Sequence, residues 1–224
     1  MPNYDETLFR TPFFPTYWRT ALADFKKPRT IAFSALMIAA CVALSYVPSI
    51  PVNFADMYAA KVSWGFLARA VCGMVGGPIT ALVFGVAEDT VSFMIHPTGT
   101  YFPGYALTTM LGTMIYALFL YRVRLTPITL GVRVFFAKLF TNVLNVTLGA
   151  LWSTILSGTG KGYIYYATVS FWKNLIMLPV QTVMLYFLIA ALIPILSRLG
   201  LIPKSSFTRK KKERQGEKKE PWEK

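Results

Sequence analysis

A chain of 224 residues, 54% of them hydrophobic and only 15% charged, carries a formal net charge of +13. With a mean hydropathy of +0.48 it falls outside the range of soluble domains and among proteins that cross the bilayer several times. The positive balance does not point to nucleic acid. Its Lys and Arg residues cluster between Arg19 and Arg29, at Arg122 and Arg124, and from Lys204 to Lys224, on the flanks of apolar stretches.

Residues 1–29 set Pro12, Pro15 and Pro28 among Phe13, Phe14, Tyr17 and Trp18. This aromatic and basic mixture reads as a cytosolic arm at headgroup level, with no apolar run of the kind a cleavable signal peptide needs. A first span is expected over residues 31–47, closed by Pro48 and Pro51, and a loop with Asp56, Tyr58 and Lys61 follows. Spans two and three fall at 62–75 and 78–95, with Gly76-Gly77-Pro78 as a tight turn between them. Proline costs no needed N–H at the first position of a helix. After a Pro97/Gly99 break and the loop Tyr101-Phe102-Pro103-Gly104-Tyr105, spans four, five and six are expected at 105–121, 130–156 and 170–195, the last leaving through Pro203.

The expected fold is an all-α integral membrane protein, a six-transmembrane-helix bundle over residues 30–198. The arm 1–29 precedes it, and a basic tail, 199–224, reads as disordered from its composition. Six spans put both termini on one side. Arg19, Lys26, Lys27, Arg29, Arg122, Arg124, Arg133 and the tail share that side, against Lys61, Lys161 and Lys173 near the other, so the termini are read as cytosolic.

Small residues recur at four-residue spacing: Ala35, Ala39 and Ala43 in span one, Gly73 and Gly77 in span two, Ala81 and Gly85 in span three. Such stripes let helix backbones approach closely in lipid. For spans two and three this is read as packing within the bundle. For span one, docking on a second membrane protein is an equal alternative.

The cysteines, Cys41 and Cys72, lie inside apolar segments without metal-ligand spacing, and the single His96 precedes Pro97 in a loop. No disulfide framework or metal site is expected. Neither a nucleotide-binding P-loop nor a nucleophile with a His base occurs, so the chain reads as a binder and carrier rather than an enzyme.

Ionisable groups inside a membrane are costly and face a protein interior or a cavity. Glu88 and Asp89 are adjacent in span three and therefore ~100° apart around the helix. Asp89 lies eleven residues past Pro78, about 16 Å into the bilayer at the helical rise per residue. Arg69, Lys138, Asn142, Asn145, Lys173 and Asn174 are the other polar groups within spans. One reading wires them internally, Glu88 or Asp89 pairing with Arg69 or Lys138 and the Asn amides bridging helices. The other opens a pocket to the outside. There a carboxylate accepts parallel hydrogen bonds from a flat ring, Asn amides supply donors and acceptors, and aromatic side chains cover the ring faces. Gly149 leaves room beside the Asn142/Asn145 face, and Lys61, Lys161 and Lys173 near the mouth favour an anionic appendage.

The set Gly77-Pro78, Gly85, Asp89, Pro97-x-Gly99-x-Tyr101-Phe102-Pro103-Gly104-Tyr105, Gly112, Tyr116, Leu118, Asn142, Asn145, Lys173 and Pro179-Val180-Gln181 resembles the substrate-binding S component of energy-coupling factor (ECF) vitamin transporters, folate-type family. The resemblance covers residues 30–195. It implies a six-helix S component of the bacterial cell membrane that captures folate or a reduced folate outside and delivers it inward. The partners it implies are a membrane-embedded T protein and two cytosolic ATPase subunits of the ECF module, with toppling of the S component in the bilayer. It further implies a pterin pocket lined by Asp89, Asn142 and Asn145 with Phe93, Tyr101, Phe102, Tyr105 and Trp152 as walls, and docking on the T protein through Ala35-x-x-x-Ala39. One departure is Lys61, where relatives often carry Arg; Lys keeps the charge and gives up the planar fork for a carboxylate. Other classes consistent with the residues are an S component for another nutrient, a standalone secondary transporter, and a small membrane enzyme or scaffold.

Overall fold

The computed structural model describes residues 8–9, 14–47, 50–54, 57–62, 64–95, 97, 101–123, 125–157 and 162–203. His96, Arg124, Lys161 and the tail from Lys204 lie outside them, and of Lys61 only the backbone is described. The elements are α1 (Pro15–Phe25), α2 (Pro28–Ser45), β1 (Ile50–Phe54), β2 (Met57–Val62), α3 (Phe66–Ile95), α4 (Pro103–Leu120), α5 (Pro127–Ser157) and α6 (Tyr163–Arg198). Among the described residues five helices, α2 to α6, are long and apolar enough to cross a membrane. The protein is an all-α membrane protein with one small β-hairpin.

Helix α3 is two arms. Gly77 breaks the helical backbone at φ 76° and ψ −177°, with Pro78 directly after it; a positive φ suits glycine because no Cβ meets the carbonyl. The arms fold back on each other. Arg69 and Glu88 are 19 residues apart, a separation of about 28 Å on a straight helix, yet their side chains meet at 3.1 Å. The expected tight turn between spans two and three is therefore present at Gly77. Ends of other elements meet near it. Lys27 to Thr30 at the start of α2, Val75, Arg122 after α4 and the last turn of α6 line one cleft, so these ends lie together.

Packing follows the glycine stripes. A Cβ on Gly73 would meet the backbone of Thr113 and Ala117, and one on Gly85 the backbone of Met110. Both arms of α3 thus lie backbone-close to α4, as small-residue packing in lipid allows. Replacing Gly85 with Leu forces the helices apart. The expected loss is about 1–3 kcal/mol for overpacking, read as a lower thermal midpoint in detergent, with Gly149→Leu as the control because Gly149 has nothing within 4 Å of its Cβ position. The core gathers Met74, Tyr116, Leu120, Leu130, Val134, Leu185 and Ile189 from α3 to α6.

Three expectations change. The stretch read as a loop before span two holds an antiparallel hairpin, Ile50 opposite Val62 and Pro51 opposite Lys61, in which Pro51 fits because an edge strand needs no donor on its outer side. Span six begins at Tyr163 rather than 170 and runs through Pro179 and Pro194; neighbouring helices re-satisfy the freed backbone groups that proline leaves in a membrane bundle. Lys173 consequently sits ten residues inside α6 rather than at its start, half-buried. The arm before span one contains α1, whose face Tyr17, Thr20, Ala21 and Asp24 is buried.

Asp24 pins α1 in place. Its carboxylate accepts hydrogen bonds from the Tyr121 hydroxyl and from Arg122 Nε at 2.9 Å and Nη2 at 3.2 Å, and pairs with Lys27 at 3.1 Å. Burial raises its pKa, but the Tyr121 and Arg122 hydrogen bonds and the Arg122 charge outweigh that and hold it below the ordinary carboxylate value. A carboxylate lowered on folding contributes stability above its unfolded pKa and loses it as pH falls through the folded value. Thermal midpoints measured from neutral pH downward should hold until about pH 4 and then fall, and Asp24→Asn should remove this group's share of the fall.

Candidate functional site

At the end of the bundle away from the Gly77 turn, the second arm of α3, the start of α4 and the outer half of α5 converge. The adjacent acids of α3 separate as their helical phase dictates. Glu88 is 3% exposed and takes a bidentate contact from Arg69, Nε to Oε2 and Nη2 to Oε1, each at 3.1 Å, with the Ser92 hydroxyl donating to Oε1 at 3.3 Å. Asp89, one residue on, is half-buried with Thr109 of α4 beside it, and among the described residues no cation pairs with it.

Aromatic side chains follow outward. Phe93 is one helical turn beyond Asp89 and packs on Tyr101 with ring centroids 5.1 Å apart, while Thr90 and the Tyr101 hydroxyl are 3.4 Å apart. Phe102 contacts Tyr105 at 6.2 Å and Trp152 at 5.4 Å. The indole Nε1 of Trp152 donates to Thr108 Oγ1 at 2.9 Å. Thr108, which takes the Trp152 indole, and Thr109, which stands beside Asp89, are consecutive on α4. Tyr101 and Tyr105 are each 39% exposed, leaving ring surface open at this end. Gly104 has to be glycine here, since a Cβ would run into the Phe102 and Trp152 rings.

On α5, Asn145, Gly149 and Trp152 share a face by their helical spacing, and the Gly149 Cβ position has open space around it. Asn142 is 4% exposed and donates through Nδ2 to the Asn174 carbonyl of α6 at 3.2 Å. Its Oδ1 is buried without a hydrogen-bond partner, an acceptor of the kind that native interiors seldom leave unused.

The structure thus brings Phe93 to Tyr101 and Phe102 to Tyr105 and Trp152, with Asp89 one helical turn before Phe93. Asn142 bridges α5 to α6 as internal wiring does, with one acceptor to spare. Of the two cations the wiring reading offered, Arg69 takes Glu88, while among the described residues Lys138 pairs with no acid; its Nζ stands 4.2 Å from the centre of the Phe66 ring, a cation–π contact. Lys173 lies within α6 rather than at its start. Thr108 and Thr109 were not read from the sequence, since hydroxyls in apolar helices commonly bond their own backbone, as Thr108 also does to the Gly104 carbonyl at 3.1 Å.

Helices long and apolar enough to cross a membrane, packed into one bundle with polar and aromatic side chains gathered at one end, define an integral membrane protein. No protein-family profile matches the chain. It is 30% identical over 128 residues to the folate transporter FolT of Clostridium novyi (strain NT), covering 56% of this chain and 70% of the relative. It is 24% identical over 135 residues to FolT of Leuconostoc mesenteroides, covering 58% and 70%. A crystal structure of FolT bound with folic acid superposes with a TM-score of 0.61 at 28% identity, covering 72% of this chain and 91% of that one. The chain belongs to the FolT folate transporter family, the folate-type S components of ECF transporters, and is a transporter protein rather than an enzyme.

Proposed function

We propose that this chain binds folic acid or a reduced folate from outside a bacterial cell and delivers it inward, with Asp89 as the carboxylate that holds the pterin. The observation that carries this reading is a half-buried acid with no cation paired to it among the described residues, one turn from an aromatic ring, on a helix whose neighbouring acid is already paired. A pterin presents a ring N–H and an exocyclic amino group side by side, the pattern a carboxylate accepts in parallel. Phe93, Tyr101, Phe102, Tyr105 and Trp152 supply faces for the ring, and Asn142 Oδ1 and Asn145 supply amide groups. Lys61 and Lys173 are assigned to the glutamate end by charge.

The same reading gives six crossings, one for each arm of α3 and one each for α2, α4, α5 and α6, with both termini cytosolic. It sets the binding domain at 30–198, flanked by the arm 1–29 and the basic tail 199–224. Delivery runs through an ECF module, in which a membrane-embedded T protein receives the chain and two ATPase subunits hydrolyse ATP. Ala35 and Ala39 are assigned to the T-protein contact. Both are exposed along one face of α2, and the bundle itself buries only 11% of that helix's apolar window, which supports an external partner over internal packing.

Titration of the purified chain with folic acid tests the substrate: stoichiometric binding is expected, and none with thiamine or riboflavin. Absence of folic acid binding while another vitamin binds would overturn the substrate and leave the family intact.

A further inference from the structure

The bundle end opposite the site holds a cleft of about 510 Å³ that folate binding does not use. Lys27, Arg29, Arg122 and Ser197 line it, with Leu201 and Ile202 as an apolar wall and Asp24 as its acid. Among the described lining residues three cations stand against one carboxylate, which Arg122 and Lys27 already contact, so the described lining carries an excess of positive charge centred on Arg29. It lies where the apolar spans begin and end: α2 starts at Pro28 and α6 ends at Arg198, which is headgroup depth for helices of this hydropathy. Arg29 reaches across it, its Nη1 3.9 Å from where a Cβ on Gly200 would stand.

Beside the cleft lies α1. Its inner face is fixed by Asp24, and its outer face presents Phe14, Trp18 and Leu22, four residues apart, at 56%, 37% and 47% exposure. An amphipathic helix with aromatic and aliphatic groups on one side and Arg19 and Lys26 nearby lies in the interface plane of a bilayer. Nothing else among the described residues covers that stripe.

We infer that this cleft binds the phosphate of an anionic phospholipid, with α1 laid into the same leaflet beside it. Guanidinium and ammonium groups between span ends take the phosphate, and Leu201 and Ile202 face the start of the acyl chains. The inference rests on the membrane placement of the bundle, and under the proposed orientation the leaflet is the cytosolic one. It does not depend on which vitamin is carried.

The test uses the full chain in detergent with phosphatidylglycerol, phosphatidylcholine or inorganic phosphate, read by native mass spectrometry and by the thermal midpoint. Phosphatidylglycerol should be retained preferentially and raise the midpoint. Lys27→Gln/Arg29→Gln should weaken retention roughly 25-fold, about five-fold for each interfacial charge removed, while Arg29→Lys should keep most of it. Should the double variant not fold, as judged by circular dichroism, Arg29→Gln alone should show the roughly five-fold loss. Equal retention of phosphatidylcholine, or an undiminished preference in Arg29→Gln, would overturn the proposal. Inorganic phosphate reproducing the whole shift would overturn a lipid source. So would a variant that keeps the lipid preference but no longer assembles with an ATPase-bearing complex, because the cleft would then serve a protein partner. None of these results bears on folic acid titration, so the two proposals fail separately.

Discussion

Replacing Asp89 with Asn is expected to lower folic acid affinity about 100-fold while leaving the fold intact. In the proposed complex the carboxylate would offer two acceptors to a donor pair on the pterin, each bond strengthened by the charge. The amide keeps one acceptor and turns an NH2 group toward a donor, so one bond is lost and a donor–donor conflict replaces it. Hydrogen bonds to charged groups contribute about 1.5–3 kcal/mol, and a loss near the upper end is roughly 100-fold in dissociation constant. Side-chain volume barely changes and Asp89 has no ion-pair partner among the described residues, so the thermal midpoint without ligand should stay close to that of the parent. Calorimetric titration of both proteins checks the expectation. Equal affinity would remove Asp89 from the site, and a matching fall in unliganded stability would make it structural. Asn145→Ala should cost less, since it removes a neutral partner.

The class and the course of the helices were legible because membrane physics writes itself strongly into sequence. Apolar runs, basic flanks and the Gly76-Gly77-Pro78 turn located the bundle, and the turn stands at Gly77 with the positive φ that a glycine there implies. The one-residue offset between Glu88 and Asp89 was enough to assign them different faces, and only Glu88 is found in an ion pair. What stayed hidden depends on contacts distant in sequence. Pro15 and Pro28, noted only as part of the arm's composition, each occupy the start of a helix, where proline is favoured. Asp24 offered no sign of its role, because Tyr121 and Arg122, which bind it, lie 97 and 98 residues away. Lys138 carried the opposite lesson: its charge suggested an acid, while Phe66 from the start of α3 supplies an aromatic face instead.

The ion pair between Arg69 and Glu88 should prove the most costly single contact to break. Arg69→Met leaves a carboxylate that is 3% exposed without its counterion, and removing one member of a buried pair costs about 3–5 kcal/mol. Glu88→Gln leaves the guanidinium with a neutral acceptor and should cost less, because Arg69 keeps 30% of its side-chain surface exposed. Replacing both, Arg69→Met/Glu88→Gln, removes both charges together, and the double variant should be more stable than Arg69→Met alone. Thermal midpoints of the four proteins close this cycle. The pair also joins the two arms of α3 on either side of Gly77, which fixes how the second arm is rotated about its axis. Asp89 is the next residue on that arm, so its direction is set by the bond its neighbour makes. Arg69→Met should therefore weaken folic acid binding even in the folded fraction, although Arg69 is not assigned to the ligand. If affinity in that fraction equals that of the parent, the helix packing of α3 on α4 through Gly73 and Gly85 orients Asp89 without help from the pair.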